Sequence, residues 1–336
     1  MQAAHTYKAA GVDVEAGDEA SQLAFEAARR TFRSEVFVQN GVTLFDAALL
    51  SRYREPLLLG GSDGVGTKLK IAFAANRHNT VGIDLVAMSV NDLARRGAEP
   101  LMFLPYFATS KLDPQVAAEV AAGVAEGCVR ANCSIVGGET AEIPGFYAAG
   151  EYDLAGAAFG IVERSQLITG EAIQLGDVIL GLASSGLHSN GYSLARRVLL
   201  VEFKLEDRPA PLQGQSIAEA LLEPTRIYVR SVLAAQTVHA PIHGLAHITG
   251  GGLNRKLGKI IPSGLHARLE PGSWAVPPIM DFIQKVGNVA VPEMFDTFNM
   301  GIGFAAVVPG SEAGAVQAIF ETAGETVWRI GTITKA

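Results

Sequence analysis

The sequence predicts an α/β protein built from two mixed domains. Three observations carry this. Short apolar runs of strand length alternate with helical periodicities along all 336 residues. Glycine takes 37 of the 336 positions, against a usual share of about 7%, and without a fixed period, so it marks sharp turns and close backbone approaches. Between Glu163 and Gly176 the chain turns polar and irregular, and the alternation then restarts. The expected domains are residues 1–170 and 171–336.

The elements follow in order. Leu57-Leu58-Leu59 reads as a strand running into a Gly60-Gly61 loop. Thr80 to Ile83 reads as another strand, with Asp84 capping a helix that ends near Gly97, ahead of Pro100. Leu101 to Phe107 is a strand. Asp113-Pro114 opens the clearest helix, an N-cap acid before a proline, followed by Val116, Val120 and Val124 at four-residue spacing and an end near Asn132. Ser134 to Val136, ending in Gly137-Gly138, and Asp153 to Val162 are strands. In the second half, Val178 to Ala183 leads through a Ser/Gly/His/Asn loop into a helix from about Tyr192 to Leu200. Glu202 to Gln215 is a polar surface connection, and Glu223-Pro224 precedes a helix. Leu245 to Ile248 meets three glycines, and Phe304 to Val308 and Thr326 to Ile333 are late strands.

Composition excludes several classes. Apolar residues at 49% and charged residues at 18% exclude disorder. A net charge of −7 argues against nucleic acid as a partner. The longest apolar run, Leu154 to Val162, contains two glycines and falls short of a membrane span. The first six residues lack the pattern of a secretory signal, and the spacing of Cys128 and Cys133 fits neither a zinc pair nor a redox pair. The expectation is a cytoplasmic protein with no membrane partner.

Five constellations offer chemistry. Asp63-Gly64-Val65-Gly66-Thr67-Lys68 combines exposed amides and a lysine, which suit phosphate, with a carboxylate, which suits Mg²⁺; a plain glycine turn is the bland alternative. Asp84, Asn91 and Asp92 fall at i, i+7 and i+8 on one stripe of a helix apolar on most of its circumference. Such buried polar groups need a metal, a lysine, a ligand or hydrogen bonds within the protein. Gly137-Gly138-Glu139 repeats the theme of glycines beside a carboxylate, and Asp63, Asp92 and Glu139 together make a Mg²⁺ set if they converge. Ser184 to Gly191 offers hydroxyls, amides and His188 at a helix start; His188 donates to phosphate or acts as an acid or base there, or is a surface or capping residue. His247-Ile248-Thr249-Gly250-Gly251-Gly252 runs a strand into a backbone nest for an anion, or into a flexible turn. Arg95-Arg96 reads as the solvated end of a helix.

With these motifs in place, together with Gly97-Ala98-Glu99-Pro100, Pro224 to Tyr228 and Thr297 to Gly301, the chain resembles the phosphoribosylformylglycinamidine cyclo-ligase family of purine biosynthesis. The similarity runs from Tyr7-Lys8-Ala9-Ala10-Gly11-Val12-Asp13 to about Ile333. The resemblance implies a two-domain α/β fold with a cleft, and a homodimer whose N-terminal domains share a barrel-like sheet. It implies ATP-dependent closure of formylglycinamidine ribonucleotide to aminoimidazole ribonucleotide, with Mg²⁺. Asp63, Asp92 and Glu139 would hold metal and phosphates, with Gly64, Gly66, Thr67, Lys68, Asp84, Asn91, Gly137 and Gly138 around the nucleotide. Asp92, Glu139, His188 and His247 would be catalytic, and Ser189, Asn190, Thr249, Gly250 and Gly251 would bind substrate. The chain departs from the family pattern at Gln39 to Leu44, where a Gly-Gly-Phe segment is usual. It departs again at Pro105, within the usual Phe-Leu-Asp-Tyr, and at Lys256-Leu257-Gly258-Lys259, in place of Asn-Leu-Pro-Arg. The alternatives are another ATP-dependent member of the superfamily and a non-catalytic nucleotide-binding dimer. Selenophosphate synthetase would want an early reactive cysteine, and the hydrogenase-maturation dehydratase a C-terminal one.

Overall fold

The computed structural model describes Tyr7 and residues 10–336. The opening segment expected to lack a signal lies outside the described residues, as do Lys8 and Ala9 of the first similarity motif. Two five-stranded sheets organise the chain.

The first half runs α1 (Val14–Arg29), a hairpin of β1 (Val36–Gln39) and β2 (Val42–Phe45), β3 (Pro56–Gly64), α2 (Leu69–Ala75), α3 (Val81–Ala94), β4 (Glu99–Thr109), α4 (Pro114–Ala131), β5 (Ser134–Ile135), β6 (Glu139–Glu142) and β7 (Tyr152–Glu163). Its sheet has the order β3-β7-β4-β5, with β6 also on β4. β4 is antiparallel to β7 and parallel to β5 and β6, so the sheet is mixed. The second half runs β8 (Val178–Ala183), α5 (Tyr192–Leu199), α6 (Ile217–Leu222), α7 (Val229–Thr237), β9 (Gly244–His247), α8 (Gly252–Gly258), β10 (Leu265–Leu269), α9 (Pro278–Gly287), α10 (Val291–Thr297), β11 (Ile302–Val308), α11 (Ala313–Thr322) and β12 (Val327–Lys335). Its sheet, β10-β12-β8-β11-β9, is antiparallel throughout.

Local chemistry accounts for the boundaries. The Asp113 carboxylate accepts from the Gln115 and Val116 amides at the start of α4, and Asn132 in a left-handed conformation closes it. α3 is the central element. Leu85, Val86, Val90 and Leu93 are fully or almost fully buried, because α3 lies between the first sheet, α4 and the second half. α3 and α4 cross where both are glycine: a Cβ on Gly82 would sit 2.3 Å from the Val124 amide nitrogen, and one on Gly123 2.2 Å from the Asn79 carbonyl. One apolar core runs through both halves, joining Leu85 and Val90 to Leu180 and Tyr228. A smaller core, with Ile179, Leu257 and Ile330, fills the other side of the second sheet.

Two sequence expectations are corrected. Thr80 to Ile83 opens α3 rather than forming a strand, and Asp84 sits in its first turn rather than capping it. A helix buried on most sides has no polar face, so a short stretch of it reads like a buried strand. Gly60-Gly61 is not a loop: β3 continues through it to Gly64, and the small residues admit the Phe159 ring on one side and Leu93 on the other. The β1-β2 hairpin was not anticipated, although its Asn40-Gly41 turn, with φ of 52° and 77°, is a recognised hairpin signal. The polar stretch from Glu202 to Gln215 carries two buried anchors, Leu205 and Leu212.

Candidate active site

α3 presents Asp84, Asn91 and Asp92 to the second half of the chain. Asp84 is wholly buried, with Lys68 Nζ 2.9 Å from Oδ1 and 2.8 Å from Oδ2. Its Oδ1 also accepts from the Thr225 amide at 2.8 Å and the Thr225 hydroxyl at 2.5 Å. Lys68, equally buried, donates further to the carbonyls of His188 (2.9 Å) and Glu223 (2.7 Å). Burial drives the Asp84 carboxyl up and the Lys68 ammonium down, and the surrounding hydrogen bonds compensate each charge. Seven residues further on, the Asn91 Oδ1 accepts from the Tyr228 amide and its Nδ2 donates to the Arg226 carbonyl, both at 2.9 Å. The expectation that Lys68, Asp84 and Asn91 attend the nucleotide is therefore corrected. Their polar atoms are engaged by the Glu223–Tyr228 segment, and the three latch the two halves together.

Asp92 is different. Its side chain is 44% exposed. His247 Nδ1 lies 3.1 Å from Oδ1 and Arg95 Nε 3.2 Å from the same oxygen. The His247 ring is held from its other side, with Nε2 3.5 Å from Asn91 Nδ2. Burial would raise the Asp92 pKa, but the His247 bond and the charges of His247 and Arg95 outweigh it and hold the carboxyl at about 2. Asp63, at the end of β3, has its pKa raised by burial and by the charge of Asp92, against the bond from the Gly64 amide and the influence of His247 and Lys256. Lys256 on α8 is pulled down by burial while Asp92 and Asp63 oppose the change. Asp63, Asp92 and His247 thus act on one another at the seam between the halves. Arg95 and Lys256 belong to the same cluster. Arg95 is thus not simply the solvated helix end that the sequence suggests, and its three-residue offset from Asp92 is the available signal; Lys256 offers none beyond its place after the triple glycine.

The loops around the cluster interlock. Ser189 Oγ donates to the Val65 carbonyl at 2.8 Å, and Thr67 Oγ1 lies 3.4 Å from Ser193 Oγ. Gly66, with φ of 70°, keeps the Asp63–Lys68 turn open, since nothing stands within 4 Å of where a Cβ would be. Asn190 reaches Met88 on α3 and borders Gly250, whose Cβ would lie 3.2 Å from its Oδ1. Thr249, Gly250 and Gly251 form the turn into α8, with Gly251 at φ 92°. His188 does not join them as an accessible acid or base. It is 1% exposed in a left-handed conformation, its Nε2 accepts from the Ser185 amide at 3.2 Å, and burial pushes its pKa well down. Neither surface exposure nor helix capping describes it either: its ring closes the Ser185–His188 turn, and α5 starts after Gly191 without a side-chain cap.

Glu139 also lies elsewhere. Asp63 pairs with Gly156, Gly156 with Pro105, and the next β4 residue, Tyr106, with Glu139. Glu139 is thus three strands from Asp63, about 14 Å, and in register with the opposite, uncovered face, where Tyr106 is 40% exposed. Among the described residues no three acidic, His or Cys side chains form a metal-binding group. Within one chain, Glu139 therefore does not join Asp63 and Asp92 as the sequence suggests. Gly137, Gly138 and Glu139 instead border a cavity of about 320 Å³ walled by Ala20, Phe25, Phe107 and Val124.

The AIR synthase related protein N-terminal domain model matches residues 45–162, and the corresponding C-terminal domain model matches residues 174–336. The chain belongs to the AIR synthase related family. Curated relatives support this membership. The phosphoribosylformylglycinamidine cyclo-ligase of Anaeromyxobacter sp. (strain Fw109-5) is 52% identical over 330 residues, covering 98% of this chain and 95% of that one. The enzyme of the same name from Thermosynechococcus vestitus is 50% identical over 327 residues, covering 97% and 96%. Among solved structures, thiamine-monophosphate kinase from Stenotrophomonas maltophilia K279a superposes with a TM-score of 0.70 at 19% identity, covering 93% of each chain. Hydrogenase maturation protein HypE in complex with ATP does so at 0.67 and 17%, covering 94% of this chain and 86% of that one. At those identities the likeness is one of fold. In family terms, the Asp63 loop and α3 lie in the N-terminal domain match, and His247 and Lys256 in the C-terminal one.

Proposed function

We propose that this chain closes the imidazole ring of aminoimidazole ribonucleotide, consuming ATP and formylglycinamidine ribonucleotide and releasing ADP and phosphate. The reading rests on full-length relatives that bear the cyclo-ligase name. The observation within the fold that carries it is Asp92, kept ionised by His247 and Arg95 beside Asp63 where the two halves meet.

The chemistry needed is modest and mostly electrostatic. The amide oxygen of the substrate is a poor leaving group. Transfer of the γ-phosphoryl group of ATP to it makes a good one; the substrate's own amine then attacks the activated carbon, and phosphate departs. Two carboxylates suit Mg²⁺, which binds through one or two carboxylates plus phosphate oxygens, so Asp63 and Asp92 would hold it. When bound, the ion neutralises charge on the transferring phosphoryl group. His247 fixes the Asp92 carboxylate and keeps it deprotonated. Arg95 and Lys256 supply positive charge to phosphate oxygens, and the amides of Gly66, Gly250 and Gly251 are free to donate. The apolar cavity beside Gly137 and Gly138 suits the adenine, with Thr140 at its rim.

The uncovered face of the first sheet supports a homodimer. Leu58 (67% exposed), Phe159 (40%), Tyr106 (40%) and Leu104 (37%) form an apolar surface larger than isolated exposed side chains would make. A second copy on this face joins the two N-terminal sheets and buries Glu139 at the contact. Residues 1–170 then form the dimerising nucleotide domain and 171–336 the domain that closes the cleft. No helix among the described residues is long and apolar enough to cross a membrane. A cytoplasmic place suits the thiols of Cys128 and Cys133, which are free and buried.

The test is coupled ADP release with ATP, Mg²⁺ and formylglycinamidine ribonucleotide. We expect Asp92→Asn to cut turnover at least 100-fold without loss of fold by circular dichroism. Wild-type protein that released no ADP would sink the reading, and full turnover in the variant would sink the metal assignment.

A further inference from the structure

A second cavity, of about 550 Å³, opens on the same seam some distance from the Asp63–Asp92 pair. Its first-half wall comes from α2, the end of β4, the start of α4 and the start of β7, with Lys70, His78, Lys111, Asp113 and Tyr152; its second-half wall is Arg196 on α5. The carboxylates at this cavity are engaged. Asp113 accepts the first amides of α4, and Glu151 holds Lys70 at 2.5 Å. Among the described residues no carboxylate lies within 4 Å of Lys111 or Arg196. Arg196 Nε is buried and has no hydrogen-bond partner at all. A buried donor on a charged group is costly to leave unmet. Two unpaired cations, one from each half, thus face one polar cavity whose two carboxylates are already engaged, Glu151 by Lys70 and Asp113 by the amides that open α4.

We propose that this cavity takes the phosphate monoester of the ribonucleotide substrate, bound between Arg196 and Lys111; this rests on the ring-closing function proposed above. The fit is chemical and geometric. A bare monoester dianion would be repelled by Asp63 and Asp92, which need a metal before they accept phosphate. Here fixed cations serve instead, and Arg presents a planar set of donors matched to phosphate oxygens. Tyr152 lies on the covered face of β7, four residues from Gly156, which pairs with Asp63. That is roughly 13 Å along the strand, comparable to the extended length of the whole substrate from its phosphate to its formyl group. The neighbouring His78 ring is kept neutral by burial and hydrogen-bonded to the Tyr152 hydroxyl at 3.0 Å, so it adds a polar wall without competing charge.

The experiment compares wild type with Arg196→Leu, Arg196→Lys and Lys111→Met. The KM for formylglycinamidine ribonucleotide should rise at least tenfold in Arg196→Leu and Lys111→Met, partly recover in Arg196→Lys, and leave the KM for ATP within twofold, with kcat falling far less than the substrate KM rises. Unfolding curves confirm that the variants are folded. In a separate arm, ribose 5-phosphate is titrated into wild type and Arg196→Leu by calorimetry, with inorganic phosphate as the comparison. We expect ribose 5-phosphate to bind wild type and to lose at least tenfold in affinity in the variant. Unchanged substrate KM in folded variants overturns the proposal even if inorganic phosphate binds, because the cavity then serves some other anion. Were wild type to turn over no substrate, the ring-closing function itself would fall, while Arg196-dependent binding of ribose 5-phosphate would still distinguish a genuine sugar-phosphate site from none.

Discussion

Asp92 draws its properties from two neighbours, His247 and Arg95, and its ionisation makes a measurable claim. Its carboxyl sits at about 2 in the fold, against roughly 3.9 in an unfolded chain. A depressed folded value means that the native state is favoured while the group is ionised. The stabilisation is complete above about pH 4 and is lost as pH falls through 2. Because the side chain is 44% exposed, screening reduces the contribution to about 1 kcal/mol. Denaturant titrations should show wild type losing that margin over Asp92→Asn between pH 5 and pH 2; parallel pH profiles would mean that His247 and Arg95 do not hold the charge. At this scale the sequence revealed which residue types mattered but not their duties. Asp84 and Asp92 are eight positions apart on one helix. One became a buried latch and the other a half-open carboxylate, because only the first meets Lys68 and Thr225.

At the level of elements, the latch and the helix crossing carry the energetics. Lys68→Met leaves Asp84 buried without its counter-ion, and should cost about 3–5 kcal/mol by chemical denaturation. Adding Asp84→Leu should restore part of the loss, since an apolar pair needs no solvation; a double variant worse than the single one would mean that the pair is stabilising outright. The α3–α4 crossing gives a second contrast. Gly82→Ala places a methyl 2.3 Å from the Val124 nitrogen and should cost about 3 kcal/mol or more as the helices are forced apart. Gly17→Ala on α1, where nothing lies within 4 Å, should be neutral or stabilise by up to about 1 kcal/mol. Equal melting temperatures for the two variants would refute the close crossing. The α4 start was legible because a cap and a proline act locally. The start of α3 was not, because burial removed the polar face that distinguishes helix from strand.

For the molecule as a whole, the placement of Glu139 separates the single chain from an assembly. Sheet register puts it on the face with Leu58, Tyr106 and Phe159. Sedimentation of wild type should give twice the chain mass, and Leu58→Asp should shift it toward the monomer and lower turnover with it. A wild-type monomer that is fully active would exclude the shared sheet. Both halves also contribute to one continuous core, so the cleft closes between parts that already share packing.

The sequence by itself determined the α/β class, the capped start of α4 and the family, because these depend on residue type and spacing along the chain. Tertiary structure alone decided which carboxylates meet, that His188 is shut away, and that Arg95, Lys256 and Arg196 face the seam. Convergence depends on strand register and on which side of a helix is covered, and both are set by contacts between residues far apart in sequence.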